Sequence, residues 1–325
     1  MAFKVLITKK IPEQGMIILR QNDCESVVHE SYRPISRQRF MTEIKDSDAV
    51  ISMLNNRIAE PLLDLGQKLK VVANLAAGTD NIDIQACTER GVAVTNTPGV
   101  LTEATADLTL ALILSAARRV VEADRYLREG RFSGWDPLLF TGSSLSGKTL
   151  GIIGMGKIGQ AVAKRALSFD MKIIYHNRSP LPEDVAAPLE AEYLPLDDLI
   201  QKADFLSLHL PYSPEVHHLI DKEKLEMMKP DAYLINTARG GHVDEKSLIK
   251  HLKAGHIQGA ALDVFEREPL LAPGLTDLDN VTLLPHLGSA TKEARSAMAK
   301  MAAESVCAVL AGEKPQNIVN PEVYE

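Results

Sequence analysis

Six residues set the strongest limit on what this chain can fold into: Gly154-Met155-Gly156-Lys157-Ile158-Gly159. They follow an apolar run at 149–153 and open a helical one at 160–167. Between strand and helix, G-x-G-x-x-G has a defined physical use. The first glycine makes the tight turn, the second lets backbone approach a pyrophosphate, and the third lets the helix pack closely on the strand. The helix N-terminus then offers free N–H groups and positive potential to the anion. Strand before and helix after favour this reading over a ligand-free turn. The motif predicts a doubly wound parallel sheet and a dinucleotide held by Gly154, Met155, Gly156, Lys157 and Ile158.

The rest of the chain repeats the same grammar. Short β-branched runs at 4–8, 49–53, 71–75 and 91–95 alternate with helical patterns, and a more regular series follows at 149–153, 172–176, 205–208, 233–236, 259–264 and 282–284. Such alternation is α/β. A length of 325 residues exceeds one ordinary core, so two Rossmann-like domains with a cleft between them are expected: a flavodoxin-like substrate domain and a doubly wound dinucleotide-binding domain. The alanine-rich helical segment 102–127, with Thr102 as its cap after Pro98-Gly99, is expected to bridge them. A last helix near 289–311 and the tail around Asn317 to Pro321 would return to the first domain. That domain then comprises 1–100 and 289–325, and the second 101–288.

Bulk properties exclude several partner classes. A composition of 45% hydrophobic, 24% charged and 5% aromatic residues is that of a soluble globular protein. A formal charge of −7 offers no basic field to a phosphate backbone, so nucleic acid is not expected. The apolar run 108–117 is too short for a bilayer, and the first residues resemble a strand rather than a secretory signal. Cys24, Cys87 and Cys307 lack zinc or redox spacing and read as small buried hydrophobes in a reducing cytoplasm. The histidines, His217-His218 and His242 among them, show no metal-ligand spacing, so no metal is expected.

The kind of dinucleotide depends on the end of the strand at 172–176. An NAD site usually carries a carboxylate there for the ribose 2′-OH. Here the strand runs into His176-Asn177-Arg178-Ser179, with neutral donors and a guanidinium suited to a 2′-phosphate. Asn177, Arg178 and Ser179 therefore predict NADPH as the preferred cofactor, with NADH also accepted.

Further segments carry a resemblance. Asn236-Thr237-Ala238-Arg239-Gly240-Gly241, Leu262-Asp263-Val264-Phe265-Glu266-Arg267-Glu268-Pro269 and Pro285-His286-Leu287-Gly288-Ser289-Ala290 occur in order in the second half. Ala76-Ala77-Gly78-Thr79-Asp80-Asn81-Ile82-Asp83 and Asn96-Thr97-Pro98-Gly99 occur in the first. In these segments, over nearly its whole length, the chain resembles the D-isomer-specific 2-hydroxy-acid dehydrogenases, above all their glyoxylate/hydroxypyruvate and 2-keto-gluconate reductases.

The resemblance implies NAD(P)H-dependent reduction of a small 2-oxo acid to a D-2-hydroxy acid, with Arg239, Glu268 and His286 as the catalytic arginine, acid and histidine. The chemistry agrees. Reduction needs a hydride at the carbonyl carbon, a proton at its oxygen and a cation for the neighbouring carboxylate. An imidazolium kept charged and oriented by Glu268 supplies the proton, and the Arg239 fork binds carboxylate while polarising the carbonyl. Glu266 lacks the following proline of the family's acid and is assigned a structural or solvent-exposed role.

By the same resemblance, backbone N–H groups of Ala77 and Gly78 receive the substrate carboxylate and Met53 borders the substrate. Thr237, Ala238 and Arg239 line the dinucleotide, Asp263 meets the nicotinamide amide, and His286 and Gly288 lie by the ring. Thr102 and Pro211 are further cofactor contacts, and a homodimer forms through the long helix after Thr102. Within the same fold, D-lactate, phosphoglycerate, formate and phosphite dehydrogenases are rivals. Glu268 stands where a formate enzyme has glutamine, and no regulatory domain is expected after residue 325. A dinucleotide-sensing corepressor is the alternative outside enzymes.

Overall fold

Strands buried on both faces read as continuous apolar runs, and helices on both faces leave no side to water. The computed structural model describes residues 2–325 and contains two such sheets, in two units. One unit runs to Leu101 and resumes at Ser289–Glu325; the other is Thr102–Gly288.

In the first unit, β1 (Lys4–Ile7), β2 (Glu25–Val28), β3 (Ala49–Ser52), β4 (Val71–Asn74) and β5 (Ala93–Thr95) form an all-parallel sheet ordered β2-β1-β3-β4-β5. This is the flavodoxin-like order. Val50 and Val72 pack on one face with Phe40, Ile44 and Leu63. On the other side, helix Lys292–Leu310 packs over β3 and β4 and against helix Glu13–Gln21. The free edge of β5 is closed by the tail: Val319 N–H donates to Val94 O at 2.7 Å, and Val94 N–H donates to Asn320 Oδ1 at 2.7 Å. Asn320 Nδ2 also donates to Val92 O at 3.0 Å, so backbone groups that an open edge would leave bare are paired.

In the second unit, β6 (Thr149–Ile153), β7 (Lys172–His176), β8 (Ala191–Tyr193), β9 (Phe205–Leu208), β10 (Tyr233–Asn236), β11 (Gly259–Leu262) and β12 (Val281–Leu283) form a parallel sheet ordered β12-β11-β10-β9-β6-β7-β8. Successive side chains alternate between two cores: Leu150, Ile152, Tyr233 and Ile235 face one, Ile153, Leu234 and Leu262 the other. The order reverses between β6 and β9, where an open α/β sheet parts its loops to form a crevice. This is the Rossmann-like, doubly wound arrangement.

Three details differ from the sequence reading. β2 and β8 were not expected: both are edge strands with polar or half-exposed residues, Glu25-Ser26 and Glu192, so neither shows a continuous apolar run. The helical segment 102–127 is two helices, Thr102–Ala117 and Val120–Arg128, broken where Arg119 adopts φ 53°. Thr102 is thus the first helical residue instead of a cap. The first of these helices lies within the second unit, burying Thr105, Ala106, Thr109, Leu110, Leu112, Ile113 and Ala117 against helix Lys157–Leu167 and strands β10 and β11. The exposed apolar surface comes after it: Val120, Leu127, Phe132, Trp135 and Leu138 are each at least half exposed. Among the described residues no helix is long and apolar enough to cross a membrane, and no group of three or more His, Cys, Asp or Glu could hold a metal ion.

Candidate active site

The crevice of the second unit is built at the carboxyl ends of its strands. After β6 the chain turns sharply: Gly154 has φ 95°, and a Cβ there would lie 2.6 Å from His209 C and Leu210 N at the end of β9. A Cβ on Gly156 would meet nothing within 4 Å, so the backbone there stands open. Gly156 is the N-cap of helix Lys157–Leu167, whose first-turn N–H groups have no partner inside the helix. Open backbone beside unclaimed donors at a helix N-terminus fits the pyrophosphate of a dinucleotide.

The turn is tied to β7. Met155 N–H donates to Asn177 Oδ1 at 2.7 Å, and Tyr193 OH donates to Asn177 O at 3.3 Å. The Met155 side chain is wholly buried in the core and its N–H is taken, so Met155 shapes the turn and has no free group for a cofactor. Asn177 likewise spends its carbonyl oxygen on the turn. Arg178 and Ser179 are exposed, and Arg178 forms no ion pair among the described residues. Pro211 is exposed past the end of β9.

The catalytic candidates follow β10, β11 and β12. Asn236 closes the turn after β10: its Nδ2 donates to Arg239 O at 2.8 Å and its Oδ1 accepts from Ala238 N–H at 3.0 Å. Thr237 Oγ1 sits 3.1 Å from Thr109 Oγ1 on the buried helix, and Arg239 Nη1 donates to Ala238 O at 2.8 Å. The next residue must be glycine, since a Cβ on Gly240 would fall 1.8 Å from Phe265 C. This packs the Arg239 turn against the loop that carries Glu268.

Glu268 Oε2 accepts from His286 Nδ1 at 2.9 Å, and Glu268 Oε1 accepts from Phe265 N–H at 3.1 Å. Burial works to raise the Glu268 carboxyl, but the hydrogen bond and charge of His286, with Arg239 behind them, hold it below the usual carboxylate range. Glu268 is thus the carboxylate on which both His286 and Arg239 act. His286 has φ 57°, a left-handed conformation that costs a non-glycine residue roughly 1–2 kcal/mol. Asp263 holds it there: its carbonyl accepts His286 N–H at 2.9 Å, while Oδ1 and Oδ2 accept Leu287 N–H at 2.6 Å and Gly288 N–H at 2.8 Å.

Asp263 is fully buried, and burial pushes its carboxyl above the usual range against the pull of those amides. Both oxygens being spent on the turn, Asp263 positions His286; the contact with a nicotinamide amide that the resemblance implies would have to share one of them. Gly288 O accepts from Thr105 Oγ1 at 3.1 Å, fastening the same turn to the buried helix next to Thr102. Glu266 is structural: its Oε1 accepts Glu245 N–H at 2.9 Å, and its own N–H donates to Glu245 Oε1 at 2.8 Å.

In the first unit, Met53 directly follows β3 and is half-buried, with its N–H on Asn56 Oδ1 at 2.9 Å. Ala77 and Gly78 lie half-buried in the loop after β4, where Asn74 Nδ2 donates to Gly78 O at 2.9 Å and Asn96 Nδ2 to Ala77 O at 2.6 Å. Asn74, Asn96 and Asn236 were given no functional role in the sequence. Their partners are backbone groups, and no local pattern announces such a partner.

Known proteins are similar to this chain in sequence and in fold. The family model described as D-isomer specific 2-hydroxyacid dehydrogenase, NAD binding domain, matches residues 110–288. The chain is 48% identical over 324 residues to a glyoxylate reductase of Thermococcus onnurineus, covering 98% of this chain and 96% of that one. It is 47% identical over 326 residues to a glyoxylate reductase of Pyrococcus furiosus, covering 99% and 96%. Among solved structures, a Thermus thermophilus protein superposes with a TM-score of 0.92 at 44% identity, covering 98% of this chain and 100% of that one. The NADPH-dependent glyoxylate/hydroxypyruvate reductase of Sinorhizobium meliloti, in complex with NADP and malonate, gives 0.86 at 32% identity, covering 99% and 98%. With a carboxylate-held histidine and a glycine turn at the carboxyl ends of one parallel sheet, and relatives matched end to end, the chain belongs to the D-isomer-specific 2-hydroxyacid dehydrogenase family of oxidoreductases.

Proposed function

We propose that this protein reduces small 2-oxo acids, glyoxylate and hydroxypyruvate first and 2-keto-gluconate next, to D-2-hydroxy acids in the cytoplasm, with NADPH preferred over NADH. The observation that carries the reading is the bond between His286 Nδ1 and Glu268 Oε2, with the charge of Arg239 acting on the same carboxylate. A bound reduced dinucleotide, held by the backbone of Gly154, Gly156, Lys157 and Ile158 with Thr102, Pro211, Thr237, Ala238 and Gly288 as further contacts, supplies the hydride.

The chain's own groups do the rest. Glu268 takes up Nδ1 of His286, which leaves Nε2 to deliver a proton to the oxygen of the substrate carbonyl. Arg239 holds the adjacent carboxylate in two-point fashion and draws charge toward that oxygen. N–H groups of Ala77 and Gly78 take the same carboxylate, and Met53 borders the substrate. Preference for NADPH is supported by the exposed Arg178 and the lack of a carboxylate after β7, and the Sinorhizobium relative binds NADP. Two copies associating through the exposed apolar surface around Phe132, Trp135 and Leu138 account for side chains that a monomer seldom leaves in water.

The test is a steady-state panel of glyoxylate, hydroxypyruvate, 2-keto-gluconate and pyruvate with NADPH and with NADH. The reading expects the highest kcat/KM for glyoxylate or hydroxypyruvate with NADPH. No turnover of any 2-oxo acid would refute it and favour a dinucleotide-sensing role.

A further inference from the structure

The loop after β4 carries a feature that residue types alone do not announce. Three consecutive carbonyls, those of Ala76, Ala77 and Gly78, are each held from within the first unit. Ala76 O accepts Thr97 N–H at 2.8 Å, Ala77 O accepts Asn96 Nδ2 at 2.6 Å, and Gly78 O accepts Asn74 Nδ2 at 2.9 Å. A trans peptide is planar, with its C=O and the following N–H pointing opposite ways. Pinning the carbonyl of residue 76 therefore aims the N–H of residue 77, and pinning that of 77 aims the N–H of 78. Among the described residues, neither the Ala77 nor the Gly78 N–H has a partner. Both donors are oriented and both are free.

The two anchors differ in kind. The Ala77 N–H is aimed by a backbone bond, which no side-chain change removes. The Gly78 N–H depends on one side chain. We infer that Asn96 is a positioning residue for substrate: its amide pins the Ala77 carbonyl and so turns the Gly78 N–H toward the carboxylate of a 2-oxo acid. Asn96 is itself held, since Asn317 Nδ2 donates to Asn96 O and Ser305 Oγ donates to Asn317 Oδ1 at 2.8 Å. A line of hydrogen bonds thus runs from the C-terminal helix through the tail to the loop.

Asn74 supports the far end of the loop from full burial, with Ser52 Oγ on its Oδ1 at 3.0 Å and Asn81 Oδ1 on its Nδ2 at 2.9 Å. It is too deeply networked for a clean substitution. Asn96 is half-buried and is the better position to perturb.

The inference rests on the proposed reduction of 2-oxo acids, and the experiment separates the two. Glyoxylate kinetics at saturating NADPH are compared for the wild type, Asn96→Ala, the isosteric Asn96→Asp, which keeps the shape and loses the donor, and Asn317→Ala. NADPH affinity is followed by fluorescence, and oxalate serves as an inhibitory carboxylate probe. The expected result for both Asn96 variants is a KM for glyoxylate and an inhibition constant for oxalate raised about tenfold, the weight of one hydrogen bond to a charged group. Turnover stays within about threefold of wild type, as for a contact made equally in ground and transition states, and NADPH affinity is unchanged. Asn317→Ala moves KM the same way by a smaller factor.

Variants that bind NADPH normally and keep a wild-type KM would overturn the role of Asn96, as would a loss confined to melting temperature. Should Asn96→Ala fail to fold, Asn96→Asp and Asn317→Ala decide by the same criterion. A wild type silent toward every 2-oxo acid would instead refute the activity.

Discussion

Alanine at Gly156 and alanine at Gly154 should have opposite consequences although the positions are two residues apart. Gly156 has φ −78° and ψ −163°, which any residue adopts, and its Cβ would enter open space. Alanine is a poorer N-cap than glycine but narrows the unfolded ensemble, so Gly156→Ala should change stability by less than about 1 kcal/mol. The new methyl stands where the backbone must come close to a pyrophosphate, and dinucleotide affinity should fall at least tenfold, about 1.4 kcal/mol. Gly154→Ala meets φ 95° and backbone atoms of residues 209 and 210 at 2.6 Å. Its cost is about 1–2 kcal/mol for the left-handed conformation and about 1–3 kcal/mol for overpacking. For a domain of this size the sum lowers the melting temperature by roughly 4–20 °C. Thermal melts without ligand and fluorescence titration with NADPH separate the two effects. Gly156→Ala binding NADPH as the wild type does would show that no pyrophosphate crosses residue 156. A wild-type melt for Gly154→Ala would show that the contact with the end of β9 does not constrain the turn.

Arg178→Ala should raise the KM for NADPH by about 10- to 100-fold, the worth of charge-assisted bonds to a phosphate, and leave NADH untouched; an unchanged ratio would remove Arg178 from cofactor choice. Glu268→Gln should shift the alkaline limb of the kcat profile for reduction to lower pH and narrow the active range, and an unmoved limb would uncouple Glu268 from His286. In stability the sign follows from its depressed folded pKa: the contribution is present above the unfolded value of about 4.3 and lost as pH falls through the folded one. The melting temperatures of wild type and variant should therefore differ at pH 7 and converge in strong acid; a gap that persists at pH 2 contradicts the assignment. Replacing both Trp135 and Leu138 by serine should convert a dimer to a monomer in light scattering, and an unchanged mass would exclude this face as the contact.

What could be read from the chain before its structure was the interior of each sheet. β3, β4, β9 and β10 announce themselves because both faces are buried, and the glycine turn because three glycines are needed at fixed spacing. The edges were silent: Glu25-Ser26 and Glu192 make β2 and β8 look like loops, since an edge strand is held by backbone bonds on one side only. At the site, Arg239, Glu268 and His286 stood out by motif, but the reason His286 can occupy a left-handed turn did not. That reason is the Asp263 carboxylate, whose partners are backbone amides 24 and 25 residues away in sequence. Asn177, read as a donor for a phosphate, also ties the glycine turn through its oxygen, which accepts the Met155 N–H, a tie that no sequence pattern announces. Glu266, set aside for want of a proline, forms a reciprocal clasp with Glu245 across 21 residues. Side chains that serve backbone leave no periodic trace.

The tail that completes β5 bears on how the protein comes into being. During synthesis the strands β1 to β5 leave the ribosome before the second unit, yet the groups that close their outer edge, Val319 and Asn320, emerge only after it. The whole of Thr102–Gly288 is made in between and holds a complete sheet of its own. Domains fold as units in order of emergence. Here the inserted domain can be finished while the earlier one still waits with a bare strand, and it is in that interval that a nascent chain is most open to pairing with a neighbour.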